Sequence, residues 1–482
     1  MENRIKNYIG KIYIIGMFIL YPLIMHDMYF DISNTKLITF YVLSALLILS
    51  VFIYAFVLRY KYLEKPKELI LLGALSISML ITFMLNGHTS EILTSEAEYG
   101  TGLIFLFILI LTSLSVLLIE TGESAFFYST AITLGVIAVS LFSTLQFIGL
   151  DPLGLLGAVA EDERSLFLGT IGNIGNLGCY AVMVFPLCFY SLAMTSEKYS
   201  ALTKVLGGCG IFFCSILALI SNTDGTILSF AVVVILLGII TLRRNDLAFY
   251  FHISLLLIGV AFTLVGLTQL IQDSRPLDIH ERLLINPILL CVLICYSAIP
   301  LILHIKHRDT IINKISRIIC IIALIALCIL PIIIFTYTIT NQRPDTLIGR
   351  VLYFDNHWGT DRGYLWKSAV RIFADSPISQ KLFGLGSSGF ADAYIDKFYN
   401  TSLELGIYSN YDAHNFFLHF LCEYGLVGLG LTMAFLIMRI KRNLINDNLF
   451  AKLKAISLIG AMVASMFLAF QNVTLGWLTV LL

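Results

Sequence analysis

From Ile12 onward the chain is a succession of apolar runs, each about 20 residues long and each closed by a polar connection. No other feature limits the fold as much. In lipid every backbone N–H and C=O must be satisfied inside the protein, so an apolar run of this length spans the bilayer as one helix. A closed barrel would instead alternate in segments of about ten residues, and the sequence shows no such alternation. The runs fall at about 12–30, 37–58, 69–85, 101–119, 125–149, 173–194, 205–221, 227–242, 247–271, 285–304, 318–338, 415–438 and 455–471. TLGWLTVLL at the end is a fourteenth span or the tail of the thirteenth. The expected fold is an all-α polytopic membrane protein with about 12–14 transmembrane helices and one long loop that carries short helices.

Composition agrees. The 482 residues are 58% hydrophobic and 13% charged, and 31 Lys and Arg balance 31 Asp and Glu. A chain without net charge carries no general attraction for nucleic acid. The nine cysteines sit in or beside apolar runs without a CxxC pair, as small buried residues do. MENRIKNYIGK leads into the first run with no small-residue cleavage site behind it, so this run is expected to stay as a span.

The connections alternate in charge. One set is basic: Arg4, Lys6 and Lys11; Arg59, Lys61, Lys65 and Lys67; Lys198 and Lys204; Arg243 and Arg244; Lys306, Arg308, Lys314 and Arg317; Arg439, Lys441, Arg442, Lys452 and Lys454. Cytoplasmic loops carry such an excess. The other set (DISNTK, NGHTSEILTSEAEYG, SNTDGT) is poor in Lys and Arg. ETGES lacks positive charge although alternation places it inside. The N-terminus is then cytoplasmic and the stretch from Ile339 to Ala413 extracytoplasmic. This divides the chain into helices over 1–338, a large loop over 339–413 and helices over 414–482.

Within the loop, DRGYLWKSAVRIFADSP repeats Leu365, Ala369, Ile372 and Phe373 at helical spacing. Thr360 or Asp361 is placed to cap this helix and Pro377 to end it. Such a helix can lie on the outer membrane surface, with Arg362 and Trp366 on one face. FGLGSSGF follows, with Gly384, Gly386 and Gly389 permitting close backbone approach. Tyr353, Phe354, Trp358, Tyr364, Trp366, Tyr394, Phe398, Tyr399, Tyr408 and Tyr411 form either an interfacial belt or platforms for sugar rings. Seven Lys and Arg meet eight Asp and Glu between 340 and 413, so an anion would need a local cluster drawn from Arg350, Arg362, Arg371 and Lys381.

DAHNFFLHFLCEYGLVG opens the next span. A helix head offers free N–H groups and partial positive charge, which suits an anion or a developing oxyanion beside His414 and Asn415. His414 is then a base or a cap. His419 and Glu423, four residues apart, are placed to pair.

These residues resemble the O-antigen ligase and polymerase superfamily. The pattern is Arg362, Trp366, Pro377, Gly384, Gly386, Phe390, His414, Asn415, Leu418, Glu423, Gly425 and Gly428. A second block, RSLFLGTIGNIGNLGCY from Arg164 to Tyr180, is similar to the family's Arg-x-x-Gly-Thr-x-Gly-Asn-x-Asn segment through Gly169, Thr170, Asn173 and Asn176. The resemblance implies a GT-C-like membrane glycosyltransferase at the outer face of the bacterial cytoplasmic (inner) membrane. Its donor would be an oligosaccharide on polyprenyl (undecaprenyl) pyrophosphate, its partners a glycan acceptor, the lipid bilayer and a chain-length regulator. His414 would be catalytic, with Arg362 and Arg164 on the pyrophosphate and Arg371, Asn415 and Trp366 lining the substrate. Where family members carry Ser-Arg-Gly, SNTDGT places Asp224. That departure favours a surface-polysaccharide polymerase over a ligase acting on a lipid, wall polymer or protein. The reaction is expected to invert the anomeric carbon and to use no cofactor or metal. His26, Asp27 and Asp31 are the alternative, since some related transferases hold a divalent cation on acidic residues of the first outer loop. A lipid-linked-glycan flippase is the reading from another class; its internal repeats are not seen in the sequence.

Overall fold

The computed structural model describes residues 2–57, 66–87, 90–95, 100–119, 125–194, 200–271, 273–305, 310–340, 347–407, 412–468 and 471–482. Arg59, Lys61, Lys65, Lys198, Lys306, Arg308, ETGES, Tyr408 and Tyr411 lie outside these residues, as does the side chain of Arg350.

The protein is all-α. Among the described residues the strands are two residues each, Phe167–Leu168 paired antiparallel with Gly172–Asn173. Among the described residues ten helices are long and apolar enough to cross a membrane: Ile32–Val57, Lys67–Leu85, Ala125–Phe147, Ile174–Ala193, Ala201–Ile220, Asp224–Thr241, Asn245–Thr268, Pro287–His304, Ile311–Ile339 and Phe416–Ile445. Leu103–Ile119 and Asn472–Leu481 are shorter and equally apolar. The last apolar piece is thus a separate helix: Leu449–Ala464 ends at Ser465, and a new helix begins at Asn472. The first apolar run is interrupted. Glu2–Ile15 passes through a π-helical turn at Gly16–Leu20 into Tyr21–Leu23. The carbonyls released at its end are taken by the fully buried Lys36, whose Nζ donates to the Tyr21, Pro22 and Ile24 oxygens at 2.7–3.0 Å.

The bundle is built around the 174–193 helix, 94% buried over its apolar window, against the 6% of Ile311–Ile339. The buried helix packs on 125–147, 200–220, 224–241 and 449–464. The exposed one is almost wholly Ile, Leu and Ala over its centre, the composition lipid requires.

The 66–85 and 416–445 helices lie together and mark the two ends of the bundle. At one end Glu68 meets Arg442 at 2.7 Å and the buried Arg439 at 3.5 Å. At the other, Thr82 donates to the carbonyl of Phe383 in the long connection. That connection is folded. Tyr364, Leu365, Ala369, Ile372, Phe390, Tyr394, Ile407, Ala413 and Cys422 form a second apolar core, separate from that of the bundle. The 362–375 helix buries its stripe against the protein, packing on 416–445 and 389–397. Tertiary apolar surface was available, and a helix with one apolar face takes it.

Candidate active site at the loop end of the bundle

Three consecutive residues with left-handed backbone, Gly359, Thr360 and Asp361, turn the chain into the 362–375 helix. Asp361 stands at the N-cap, but its carboxylate goes to His357 Nδ1 at 2.9 Å and caps no backbone N–H. The turn holds Arg362 inward. Its Nη1 donates to the Gly359 carbonyl at 2.6 Å, while its Nε is buried without a hydrogen-bond partner among the described residues. Burial lowers the pKa of this guanidinium, and the Asp224 carboxylate partly restores it. Trp366, one turn on, is packed among Phe354, Trp358 and Phe467, with centroids 5.4–6.1 Å apart. Its Nε1 is also buried without a partner. Arg371 is nine residues from Arg362, about half a turn round the helix, and exposed. The structure does not bring it to the other candidates.

Phe467 links this shelf to the turn read as SNTDGT, since a Cβ on Gly225 would meet the Phe467 side chain. Asn222 takes a left-handed conformation (φ 52°) and Asp224 begins the 224–241 helix. Asp224 pairs with His280 Nδ1 at 2.6 Å. Glu281, beside them, is 1% exposed; burial, with Asp224 and Asp278 nearby, raises its pKa above the usual carboxylate range.

Arg164 lies on the far side of the same turn. Its Nε donates to the Val159 carbonyl at 3.2 Å and its Nη1 is 3.9 Å from Glu161. It lines a cavity of about 380 Å³ together with Arg275, Asn222 and Asp278. Two marks of the second block hold residues of its wall in place without lining it themselves. Gly169 donates its N–H to Gln146 Oε1 at 2.7 Å, and Asn173 caps the 174–193 helix through Gly175 and Asn176.

His414 has a left-handed backbone as well (φ 46°), a strained state for a non-glycine residue. Asp412 supports it. One carboxylate oxygen accepts the His414 backbone N–H at 2.5 Å and lies 3.2 Å from its Nδ1. The other lies 3.4 Å from His419 Nδ1, and His419 Nε2 is 3.3 Å from Glu423. The expected pairing of His419 with Glu423 is therefore present, inside a chain His414–Asp412–His419–Glu423. Three members are buried; the His414 side chain is 24% exposed. An imidazole held through Nδ1 by a carboxylate presents Nε2 outward as its basic atom.

The helix head is not open to an anion. Phe416 N–H donates to the Ser465 carbonyl at 2.8 Å, and Asn415 Oδ1 accepts from Phe417 and Leu418 at 3.0 and 3.1 Å. Asn415 is the cap and His414 is not. Buried N–H groups are costly to leave unpaired, so the chain supplies its own acceptors.

FGLGSSGF serves the helix rather than a ligand. The 416–445 helix breaks at Gly425 (φ 66°), which frees carbonyls on the preceding turn. Leu385 and Gly386 donate to the carbonyls of Cys422 and Glu423, both at 2.9 Å. Gly384 (φ 82°) lies so close that a Cβ would collide with the Glu423 carbonyl.

His26 Nδ1 is 3.5 Å from Asp31 at an exposed position. Among the described residues no group of three or more His, Cys, Asp or Glu side chains is gathered as a metal site.

Sequence reasoning missed the roles of Asp412, Arg275, His280 and Glu281. Asp412 stood two residues from His414 and signalled itself; the others sit in connections with no motif.

Residues 287–433 match the family model of the O-antigen ligase domain, Wzy_C. The resemblance to the O-antigen ligase and polymerase superfamily is thus borne out over the long connection and the helices around it, and it supports a membrane function of that general type, glycosyl transfer. The match includes Arg362, Trp366, His414 and Glu423; the block from Arg164 to Tyr180 lies outside it. No curated protein matches the chain.

Proposed function

We propose that the protein transfers or polymerises oligosaccharide repeat units from a polyprenyl-pyrophosphate carrier at the outer face of the cytoplasmic membrane. The observation that carries this reading is His414: partly open, strained, and held at Nδ1 by the buried Asp412. An acceptor hydroxyl attacks the anomeric carbon of the donor sugar. The new C–O bond forms as the bond to pyrophosphate breaks, and its electron pair leaves with the phosphate. The hydroxyl proton passes to His414 Nε2, a general-base role worth about 10²–10⁴ in rate. Arg362 meets the growing charge on the pyrophosphate, where a buried, pre-positioned donor is most effective. Arg164 lines the cavity that shares Asn222 of the Asn222–Asp224 turn, beside that group rather than on it. Trp366 with Phe354 and Trp358 offers a platform for sugar faces. Attack opposite the leaving group inverts the anomeric carbon. Asp412 is a positioning residue that fixes the imidazole.

The basic connections orient the loop end outward. We infer a polymerase rather than a ligase from Asp224, which stands where ligase-like members carry arginine. The test is purified protein with a lipid-linked oligosaccharide and mass spectrometry of the products. A ladder of repeat units with released polyprenyl pyrophosphate supports polymerisation. A single transfer to an added lipid or protein supports the ligase reading. Unconsumed donor that crosses a proteoliposome membrane supports a flippase and overturns the proposal.

A further inference from the structure

The cavity beside Arg164 has the wrong charge for pyrophosphate alone. Arg164 and Arg275 line it, but so do Asp151, Asp273 and Asp278, so its formal charge is 2 − 3 = −1. A dianionic ligand would be repelled, whereas a neutral ring with many hydroxyls would not. The hydrogen-bonding groups match such a ring. Asp151 is engaged within the protein, accepting from Gln146 Nε2 at 3.2 Å and Leu156 N at 2.8 Å. Asp278 stands at a helix N-cap without capping it, and Asp273 makes no side-chain hydrogen bond among the described residues. Both carboxylates sit exposed at the rim as acceptors.

Arg275 supplies a donor. Its backbone N–H is fixed to the Phe147 carbonyl at 2.9 Å and its Nη1 to the Phe167 carbonyl at 2.7 Å. Its Nη2 is buried and has no partner among the described residues. Phe147, Ile174 and Ile220 give the cavity an apolar wall, and a volume of about 380 Å³ is in the range of small-molecule sites. Alternating donors and acceptors over an apolar wall describe a sugar subsite.

We propose that this cavity binds a neutral sugar ring of the lipid-linked glycan, with the Arg164 and Arg275 side chains of its lining as donors and Asp273 and Asp278 as its rim acceptors. The proposal rests on the transferase reading for the identity of the glycan. It also accounts for the position of the site: Asn222 of the cavity and Asp224, which faces Arg362, share one turn, so a sugar here adjoins the pyrophosphate held by Arg362.

The test compares two probes on the full-length protein in nanodiscs: undecaprenyl pyrophosphate without sugar, and the glycan-bearing lipid isolated from the cells that make the protein. Dissociation constants are measured for wild type, Arg275→Lys, Asp278→Asn and Arg362→Gln. Arg275→Lys and Asp278→Asn are expected to weaken the glycan-bearing lipid by roughly tenfold and to leave the bare lipid pyrophosphate within about twofold. Arg362→Gln weakens both. Asp278→Asn alters an exposed side chain that makes no cap, so the fold survives even if Arg275→Lys does not. Equal losses for both lipids would make the cavity a phosphate site and overturn the proposal; no loss for either would also overturn it. Wild type that discriminates the two lipids through these residues but transfers nothing would uphold the subsite and refute the transferase reading.

Discussion

Two neighbouring parts of the loop end treat their buried polar groups in opposite ways. In FGLGSSGF both serine hydroxyls and the carbonyls of Phe383 and Gly384 have partners. Ser387 meets the Tyr424 hydroxyl at 2.5 Å, Ser388 donates to Glu91 at 3.1 Å, and Asn86 donates to the Gly384 carbonyl at 3.0 Å. Across the 362–375 helix, Arg362 Nε and Trp366 Nε1 are buried with none among the described residues. Both regions carry family marks. The difference fits two jobs: a paired network holds the helix break together, and the proposed site keeps polar groups that the described residues leave unpaired.

The comparison breaks most visibly at Gly384. Gly384→Ala forces a Cβ into the Glu423 carbonyl from a left-handed backbone, and the expected outcome is loss of folded protein, a cost above about 3 kcal/mol. Size-exclusion profiles in detergent would read it; a monodisperse, wild-type-like variant would remove the structural role of the turn. Next in size is Asp412→Asn. Transfer should fall by about 10²-fold or more as the imidazole loses its orientation, with donor binding kept. Rates at saturating donor check this.

Trp366→Phe and Ser387→Ala sharpen the contrast. Both remove one polar group. Ser387→Ala should destabilise by about 1 kcal/mol, because the Ser387–Tyr424 hydrogen bond is lost. Trp366→Phe should not lower the melting temperature through hydrogen bonding, since the indole N–H has no partner among the described residues, yet it should reduce transfer. Thermal melts and rates on the same preparations decide. The smallest effect concerns Glu281. Its carboxyl pKa is raised in the fold, so its favourable contribution is complete below the ordinary carboxylate pKa and is lost as pH rises through the raised value. Glu281→Gln should therefore raise the apparent melting temperature at neutral pH, with the gain shrinking as pH falls.

The helices were legible because lipid enforces one rule on every segment, and each expected apolar run contains a helix, although the first is interrupted at Gly16 and leaves the helix after Leu23. Leu365, Ala369 and Ile372 announced the loop helix by period alone, but not the surface it would cover. Local patterns failed wherever the partner was distant in sequence. The head of the 416–445 helix looked open to an anion until Ser465 and Asn415 were seen to fill it. Arg371 has the right chemistry and the wrong face. Arg275 has no motif at all; only the fold of the 269–278 connection, tied to Phe147 and Phe167, brings it beside Arg164.

The central claim is that His414 takes the acceptor proton while Asp412 holds it in place. The most direct measurement is the transfer rate of His414→Ala at saturating lipid-linked donor, with donor binding measured in the same sample. The account predicts binding within about twofold of wild type and transfer reduced by at least about 10²-fold. Transfer at the wild-type rate would contradict it.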